Sequence, residues 1–320
     1  MTVLRTPDAC FDDLPGYSFP PHYVDVPNPG GGALRMHYVD AGPEDAPVVL
    51  LLHGEPTWSY LYRKVIPVLV AAGLRAIAPD HIGFGRSDKL CEATDYTYAR
   101  HIGWIHSFIT ALDLRAVTLF GQDWGGAIGL SAVAREPERF QRLVLGNTML
   151  HTLEPELAGK LSWAAHSDET TSTVAEGLLN WVTASQRMPV LRPSLFVNGS
   201  TVSDVPPDVA AAYDAPFPEP RYLAAVRQFP ILIPITRSDP GAKLNRATWR
   251  VLEIFDRPVL TTFSDSDPTT AGWDRVFQQR IPGASGQPHL TLRGGGHFLQ
   301  EDCGEELGRV IAEFVESTAH

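Results

Sequence analysis

Residues 120–126 read Phe-Gly-Gln-Asp-Trp-Gly-Gly and stand between two runs of different character. The apolar run 117–120 before them is typical of a buried strand, and the small and apolar run 127–135 after them is typical of a helix. A strand that passes directly into a helix needs a tight turn, and Gly121 and Gly125 leave room for one. Asp123, between them, is then held in a strained backbone conformation with its side chain directed into a pocket. The stretch therefore predicts a carboxylate presented at the carboxyl end of a strand.

The surrounding sequence predicts an α/β fold. From about residue 33, short apolar runs alternate with amphipathic stretches, as in consecutive strand–helix units of a largely parallel sheet. Further strands are predicted at 48–52, 74–78, 143–145 and 259–263. Apolar residues recur at helical spacing within 102–112 and 307–315, which predicts two amphipathic helices that face the core.

The segment 150–235 interrupts this alternation. It contains ten prolines, and proline removes a ladder hydrogen bond from a central strand. Strand–helix units resume after it. We therefore predict one core domain, formed by residues 1–149 and 236–320, and an inserted helical cap at 150–235. Open α/β sheets bind ligands beyond the carboxyl ends of their strands, so the cap would cover the site.

Composition and charge exclude several classes of function. The 26 basic and 37 acidic residues give a net charge of −11, which offers no surface for nucleic acid or an anionic membrane. The three cysteines, Cys10, Cys91 and Cys303, are far apart and form neither a disulfide framework nor a CxxC metal pair. No secretory leader is evident at the start, and no apolar run approaches the ~20 residues that span a bilayer. These features predict a reduced, cytoplasmic protein.

Asp123 occupies the central position of a Gly-x-Ser-x-Gly nucleophile elbow, with Asp in place of Ser. An aspartate after a glycine turn can also simply cap a helix, so the motif alone leaves both interpretations open. Two matching parts lie downstream: His297 on a glycine loop, and an acidic loop with Asp265 and Asp267. The order nucleophile, acid, histidine is the one that α/β-hydrolases use. Either aspartate of the acidic loop remains possible as the acid.

Residues 53–58, His-Gly-Glu-Pro-Thr-Trp, follow the predicted strand 48–52 directly. In α/β-hydrolases a loop here supplies one amide of the oxyanion hole, and the residue after the nucleophile supplies the other. That predicts an oxyanion hole formed by the backbone N–H groups of Glu55 and Trp124. His53 is more typical of a packed loop histidine than of a catalyst. No second Gly-x-Ser-x-Gly occurs in the chain, which disfavours a serine esterase.

Taken together, these stretches resemble the haloalkane dehalogenases, in particular the branch whose halide site is built from two tryptophans. The resemblance is carried by residues 53–63, 77–89, 122–126, 214–218 and 296–302, which span nearly the whole chain. The Gly-Glu-Pro-Thr-Trp and Gln-Asp-Trp-Gly-Gly pieces are its most specific parts. The resemblance implies the α/β-hydrolase fold, with a mostly parallel eight-stranded sheet, helices on both faces and an inserted helical cap.

The resemblance also implies a reaction in two steps. Asp123, ionised at neutral pH, would displace halide from carbon and form an alkyl ester. His297 would then activate water to hydrolyse that ester. Asp267 would orient His297, because its Asp-Pro context matches the acidic loop of the family. The implied partners are a small apolar halogenated substrate, water and the halide product, with neither metal nor organic cofactor, and we expect a monomer.

A halide needs donors that cannot attack the substrate, and an indole N–H only donates. Trp124 is the first such donor implied by the resemblance. The second lies in the cap, where Trp181 fits the family's spacing to the segment 214–218 and Trp163 is the competitor. Phe229 and Pro230 match cap residues that line the substrate pocket of the family.

Two other functions remain to be weighed. An epoxide hydrolase shares the Asp–His–Asp machinery but protonates its leaving group with phenols from the cap. Residues 150–209 contain no tyrosine, and Tyr213 and Tyr222 come late, which disfavours this alternative. A non-catalytic ligand-binding member of the fold typically loses a triad residue, whereas all three positions are filled here. Halide release from haloalkanes, measured beside diol formation from an epoxide, separates these functions.

Overall fold

The computed structural model describes residues 2–153, 181–183 and 185–319. In chain order the strands of these ranges are β1 (Val3–Leu4), β2 (His22–Pro27), β3 (Ala33–Ala41), β4 (Val48–Leu52), β5 (Arg75–Pro79), β6 (Lys89–Leu90), β7 (Val117–Gln122), β8 (Phe140–Gly146), β9 (Val259–Ser264) and β10 (Leu290–Leu292). Eight of them form one sheet in the order β10-β9-β8-β7-β4-β5-β3-β2, while β1 and β6 pair as a small antiparallel ribbon.

In this order the six neighbouring strands from β10 to β5 are parallel to one another. Only β3 pairs antiparallel, with β5 on one side and β2 on the other. This confirms the predicted mostly parallel sheet of eight strands. Every residue of β7 is buried, as expected for a central strand that is covered on both faces. The strand predicted at 48–52 coincides with β4, and that at 143–145 is the middle of a longer strand, β8.

Ten α-helices have both ends in the described ranges: α1 (Ile66–Ala71), α2 (Tyr98–Ala111), α3 (Trp124–Val133), α4 (Pro193–Gly199), α5 (Pro207–Asp214), α6 (Ala224–Gln228), α7 (Pro240–Leu252), α8 (Trp273–Arg280), α9 (Leu299–Asp302) and α10 (Gly304–Ser317). Residues 181–183 and 185–187 are helical as well. The two amphipathic helices predicted from apolar spacing correspond to α2 and α10. Helix α1 packs against α10, whereas α2 and α3 pack together with α7. None of the helices in these ranges combines the length and apolar character needed to cross a bilayer.

Between residues 150 and 235, the described residues contain helices and no strand. Prolines open both α4 and α5, where a missing N–H costs nothing because the first helical turn leaves its N–H groups unbonded. The same prolines that exclude central strands thus begin helices. The division into a core and a cap stays a prediction, and residues 154–180, including Trp163, lie outside the described residues.

Candidate active site

The turn between β7 and α3 holds Asp123 in a conformation that side chains rarely adopt, with φ 52° and ψ −127°. At this turn the backbone packs so closely that Gly121 and Gly125 have no space for a side chain. A Cβ on Gly121 would lie 2.6 Å from the Cα of Gly126, and one on Gly125 would lie 2.0 Å from the carbonyl oxygen of Leu52. The two glycines therefore allow the tight turn that presents the Asp123 carboxylate at the end of the central strand.

Two loops bring a histidine and a second carboxylate to this turn. His297 Nε2 lies 3.6 Å from Asp123 Oδ2, and His297 Nδ1 lies 3.0 Å from Asp267 Oδ2. Asp265, the other acid of the loop, is exposed and instead accepts a hydrogen bond of 2.9 Å from the Gly294 amide. Of the two aspartates, Asp267 is thus the one in contact with the imidazole.

The electrostatics of the pair favour a charged imidazole in the free protein. Burial alone would lower the pKa of His297, but the Asp267 and Asp123 carboxylates outweigh it and raise that pKa to about 10. Burial would likewise raise the pKa of Asp267, yet the charge and hydrogen bond of His297 hold it below its ordinary value. Thr270 Oγ1 and the Thr269 amide donate to the same carboxylate, at 2.5 and 2.9 Å. Asp267 is therefore fixed as an ionised acceptor.

Glu55 contributes both its backbone and its side chain. Its amide donates a hydrogen bond of 2.8 Å to Asp123 Oδ1, so the predicted oxyanion-hole amide already contacts the carboxylate. Burial and the neighbouring Asp123 charge raise the pKa of the Glu55 carboxyl well above its usual range, partly offset by His297 and the Trp181 side chain. A neutral carboxyl beside Asp123 avoids the repulsion between two buried anions.

Two polar residues that the sequence analysis did not single out hold these groups in place. Gln122 is buried, and its Nε2 donates to the carbonyl oxygen of His297 at 3.2 Å and lies 3.2 Å from His297 Nε2. Asn147 Nδ2 donates to the backbone carbonyl oxygens of Gly296 and His297, at 2.8 and 3.0 Å. The backbone carbonyl oxygen of Asn147 accepts from the Asp123 amide. Gln122 is the last residue of β7, and Asn147 directly follows β8. A polar residue at the end of a buried strand is the sequence signal that could have identified both.

Comparisons with known proteins find relatives along almost the whole chain. The α/β-hydrolase fold family matches residues 47–302. A haloalkane dehalogenase of Psychrobacter cryohalolentis is 49% identical over 98% of both chains, and one of Mycobacterium marinum is 46% identical over 97% of this chain and 99% of its own. The chain belongs to the haloalkane dehalogenases. A solved haloalkane dehalogenase of Paraglaciecola agarilytica, described as tetrameric, superposes with a TM-score of 0.83 at 32% identity, and the match covers 99% of each chain.

Membership of this family of hydrolases, which act on carbon–halide bonds, confirms the resemblance to the haloalkane dehalogenases, while the branch with two halide-binding tryptophans stays a prediction. The role of each residue in this dehalogenase stays a prediction.

Beside Asp123 the dehalogenase has a cavity of about 250 Å³. Trp124 and Trp181 both line it, and Met149, Phe196 and Ile233 make much of the remaining wall apolar. The Trp181 ring packs against Phe196 with ring centroids 3.9 Å apart. Two indoles and one carboxylate thus face a common apolar space. Trp163, the competing candidate, cannot be compared because it lies outside the described residues.

Phe229 and Pro230 are buried, but they do not line this cavity or the smaller one beside it. The Phe229 ring instead packs edge-on against Trp124, with centroids 5.1 Å apart. Ile233, about one helical turn further along, lines both cavities, and Pro234 lines the smaller one. The role of Phe229 and Pro230 in substrate binding stays a prediction, and the contact of Phe229 with Trp124 is what the structure shows for this pair.

Proposed function

We propose that this dehalogenase hydrolyses small haloalkanes through an ester on Asp123. The observation that carries the proposal is the Asp123 carboxylate, which lies in the wall of a largely apolar cavity. It is 3.6 Å from the His297 imidazole. In the first step a carboxylate oxygen attacks the halogen-bearing carbon in line. The new C–O bond forms as the carbon–halogen bond breaks, and the halide leaves with the bonding electrons.

The second step hydrolyses the ester. Formation of the ester removes the negative charge of Asp123, which is one of the two charges that keep His297 protonated. His297 loses its proton to solvent and, now neutral, takes a proton from water, and the resulting hydroxide attacks the ester carbonyl. The N–H groups of Glu55 and Trp124 stabilise the tetrahedral oxyanion. Collapse of this intermediate expels the alcohol, which takes its proton from His297, and leaves Asp123 as a carboxylic acid. Transfer of the carboxyl proton to His297 then restores the starting ion pair.

The halide leaves between Trp124 and Trp181 in this proposal. Both indoles line the cavity that contains Asp123, and neither can act as a nucleophile. The Trp181 side chain also interacts with the Glu55 carboxyl, so halide and carboxyl compete for the same donor. The apolar wall suits an uncharged substrate, which needs no charged recognition group.

The tyrosines of the insert offer little support for an epoxide hydrolase. The Tyr213 hydroxyl donates to Glu301, and the Tyr222 hydroxyl donates to the carbonyl oxygen of Arg5 at 3.5 Å. Neither lines the cavity beside Asp123. A phenol that protonates an epoxide oxygen would have to face that cavity.

We further propose that residues 150–235 act as a helical cap. We also propose that the monomer is the active unit, because all of the proposed catalytic and halide-binding residues come from one chain. Sedimentation of the purified protein tests the second point, and activity that is lost on dilution into monomers contradicts it.

Halide release from a panel of chloro-, bromo- and iodoalkanes, with styrene oxide in parallel, tests the proposed function. We expect halide release without diol formation. Asp123→Ala should abolish halide release while circular dichroism shows an unchanged fold. The matched control is Asp265→Ala, which removes an exposed carboxylate of the acidic loop that does not contact the imidazole. Turnover by a folded Asp123→Ala variant contradicts the role of the nucleophile.

A further inference from the structure

Asp302, the last residue of α9, joins two loops that belong to different parts of the chain. Its Oδ2 accepts hydrogen bonds from the Gly296 amide at 2.8 Å and from the Val202 amide at 3.0 Å. Its Oδ1 accepts from the Ser203 amide at 3.0 Å and from the Ser203 hydroxyl. One carboxylate thus binds the loop that carries His297 and, at the same time, the loop that follows α4.

The two loops are also in direct backbone contact. The His297 amide donates a hydrogen bond of 2.7 Å to the carbonyl oxygen of Ser200, the residue after the end of α4. A Cβ on Gly296 would lie 2.4 Å from that same oxygen, so only glycine permits this approach. Ser200 itself lines the cavity beside Asp123. The backbone of His297 is therefore held from one side by the inserted segment.

We propose that Asp302 is a positioning residue that clamps residues 200–203 to the His297 loop, so that the cavity wall and the imidazole are set together. The proposal rests on the proposed function, because it concerns the step in which His297 activates water. The imidazole has no contact with Asp302 and depends on its loop for its position. A displacement of about 1 Å in such a group can cost on the order of 10²-fold in rate.

Loss of the clamp has a consequence that differs between the two steps. Ester formation needs Asp123 and the halide donors but no base, so a shifted His297 affects it little. Ester hydrolysis needs His297 close to the water and to Asp123. A residue that served only stability would instead lower the melting temperature and leave the ratio of the two rates unchanged.

The test is a rapid-quench measurement of both steps in Asp302→Ala, well below its melting temperature, with a bromoalkane as substrate. We expect ester hydrolysis to slow by about 10–100-fold and the first halide release to stay within about 3-fold. Asp265→Ala is the matched control, since Asp265 also accepts from an amide of the same glycine loop but does not contact residues 200–203. That variant should change neither step by more than about 3-fold.

Asp302→Asn is the second variant and carries the test if the alanine variant fails to fold. With its amide oxygen in the place of Oδ2 it keeps the bonds from Gly296 and Val202, while its NH₂ group faces the Ser203 amide and loses that bond, so an intermediate loss of ester hydrolysis is expected. Wild-type ester hydrolysis in a folded Asp302 variant, after a normal first halide release, overturns the clamp. Absence of an alkyl ester on Asp123 in a folded His297→Gln variant, which lacks the base, would instead overturn the proposed function.

Discussion

Replacing Asp267 with asparagine exchanges a hydrogen-bond acceptor for a donor at the atom that faces His297. The carboxylate has three partners: His297 Nδ1 at 3.0 Å, Thr270 Oγ1 at 2.5 Å and the Thr269 amide at 2.9 Å. In Asp267→Asn the amide oxygen can keep the bond from Thr269, and the hydroxyl of Thr270 can rotate to accept. The NH₂ group then points at Nδ1, which must lose its proton and carry a lone pair.

This change moves the remaining proton of neutral His297 to Nε2, the nitrogen that should accept a proton from water. The same loss of the correct tautomer costs about 10⁴-fold in serine-protease triads. At 1.36 kcal/mol for each factor of ten, that is about 5.4 kcal/mol on the barrier of ester hydrolysis. The first step needs no base, so formation of the ester and release of one halide per site should stay within about 3-fold of wild type.

Rapid quench followed by intact-protein mass spectrometry measures both quantities in one experiment. Asp267→Asn should accumulate the alkyl-enzyme, and wild type should not. Asp265→Asn is the control with the same chemistry, because Asp265 is exposed and contacts Gly294 rather than the imidazole. Near-normal ester hydrolysis in Asp267→Asn, or a larger loss in Asp265→Asn, would refute this account of the acid.

Three further predictions concern the halide site, the pH dependence of ester hydrolysis and the pH dependence of stability. Trp181→Phe should weaken the quenching of tryptophan fluorescence by bromide and slow the first step by about 10–100-fold, as expected for the loss of one hydrogen-bond donor to a charged acceptor. Trp163→Phe should leave both quantities nearly unchanged. The reverse ranking would transfer the role of halide donor to Trp163. Ester hydrolysis should fall with decreasing pH through a pKa below the value of about 10 that His297 has beside ionised Asp123, and equal pKa values for the free enzyme and the ester would contradict the electrostatic argument. Because the pKa of His297 is raised in the folded protein, its charged form stabilises the fold. This contribution is complete below the ordinary histidine pKa of 6.5 and is lost as pH rises through about 10. The melting temperature of wild type should therefore drop more between pH 7 and 10 than that of His297→Gln.

The sequence predicted the parts of the site that depend on local geometry. The turn around Asp123 could be predicted because its two glycines are required by contacts within a few residues and with the adjacent strand. The buried strands were recognisable as continuous apolar runs, since a parallel strand covered on both faces has no polar alternation. The order of the three loops then followed from the known topology of such sheets.

The remaining parts depend on packing between distant segments, which local patterns do not encode. The acidic loop offers two carboxylates two residues apart, and only the folded loop turns Asp267 inward and Asp265 outward. Asn147 and Asp302 act through bonds to loops far away in sequence. Ile233 lines the cavity beside Asp123, and its place there depends on the fold of the segment 150–235, which proline spacing alone does not determine.

The central claim is that catalysis passes through an ester on Asp123, and His297→Gln tests it most directly. This variant keeps the nucleophile and lacks the base, so incubation with a bromoalkane should release one bromide per site and then stop. Peptide mass spectrometry should find the alkyl group on the peptide that contains Asp123, and hydroxylamine should remove it. Continued turnover by a folded His297→Gln variant, or one equivalent of bromide without alkylation of Asp123, would contradict the mechanism.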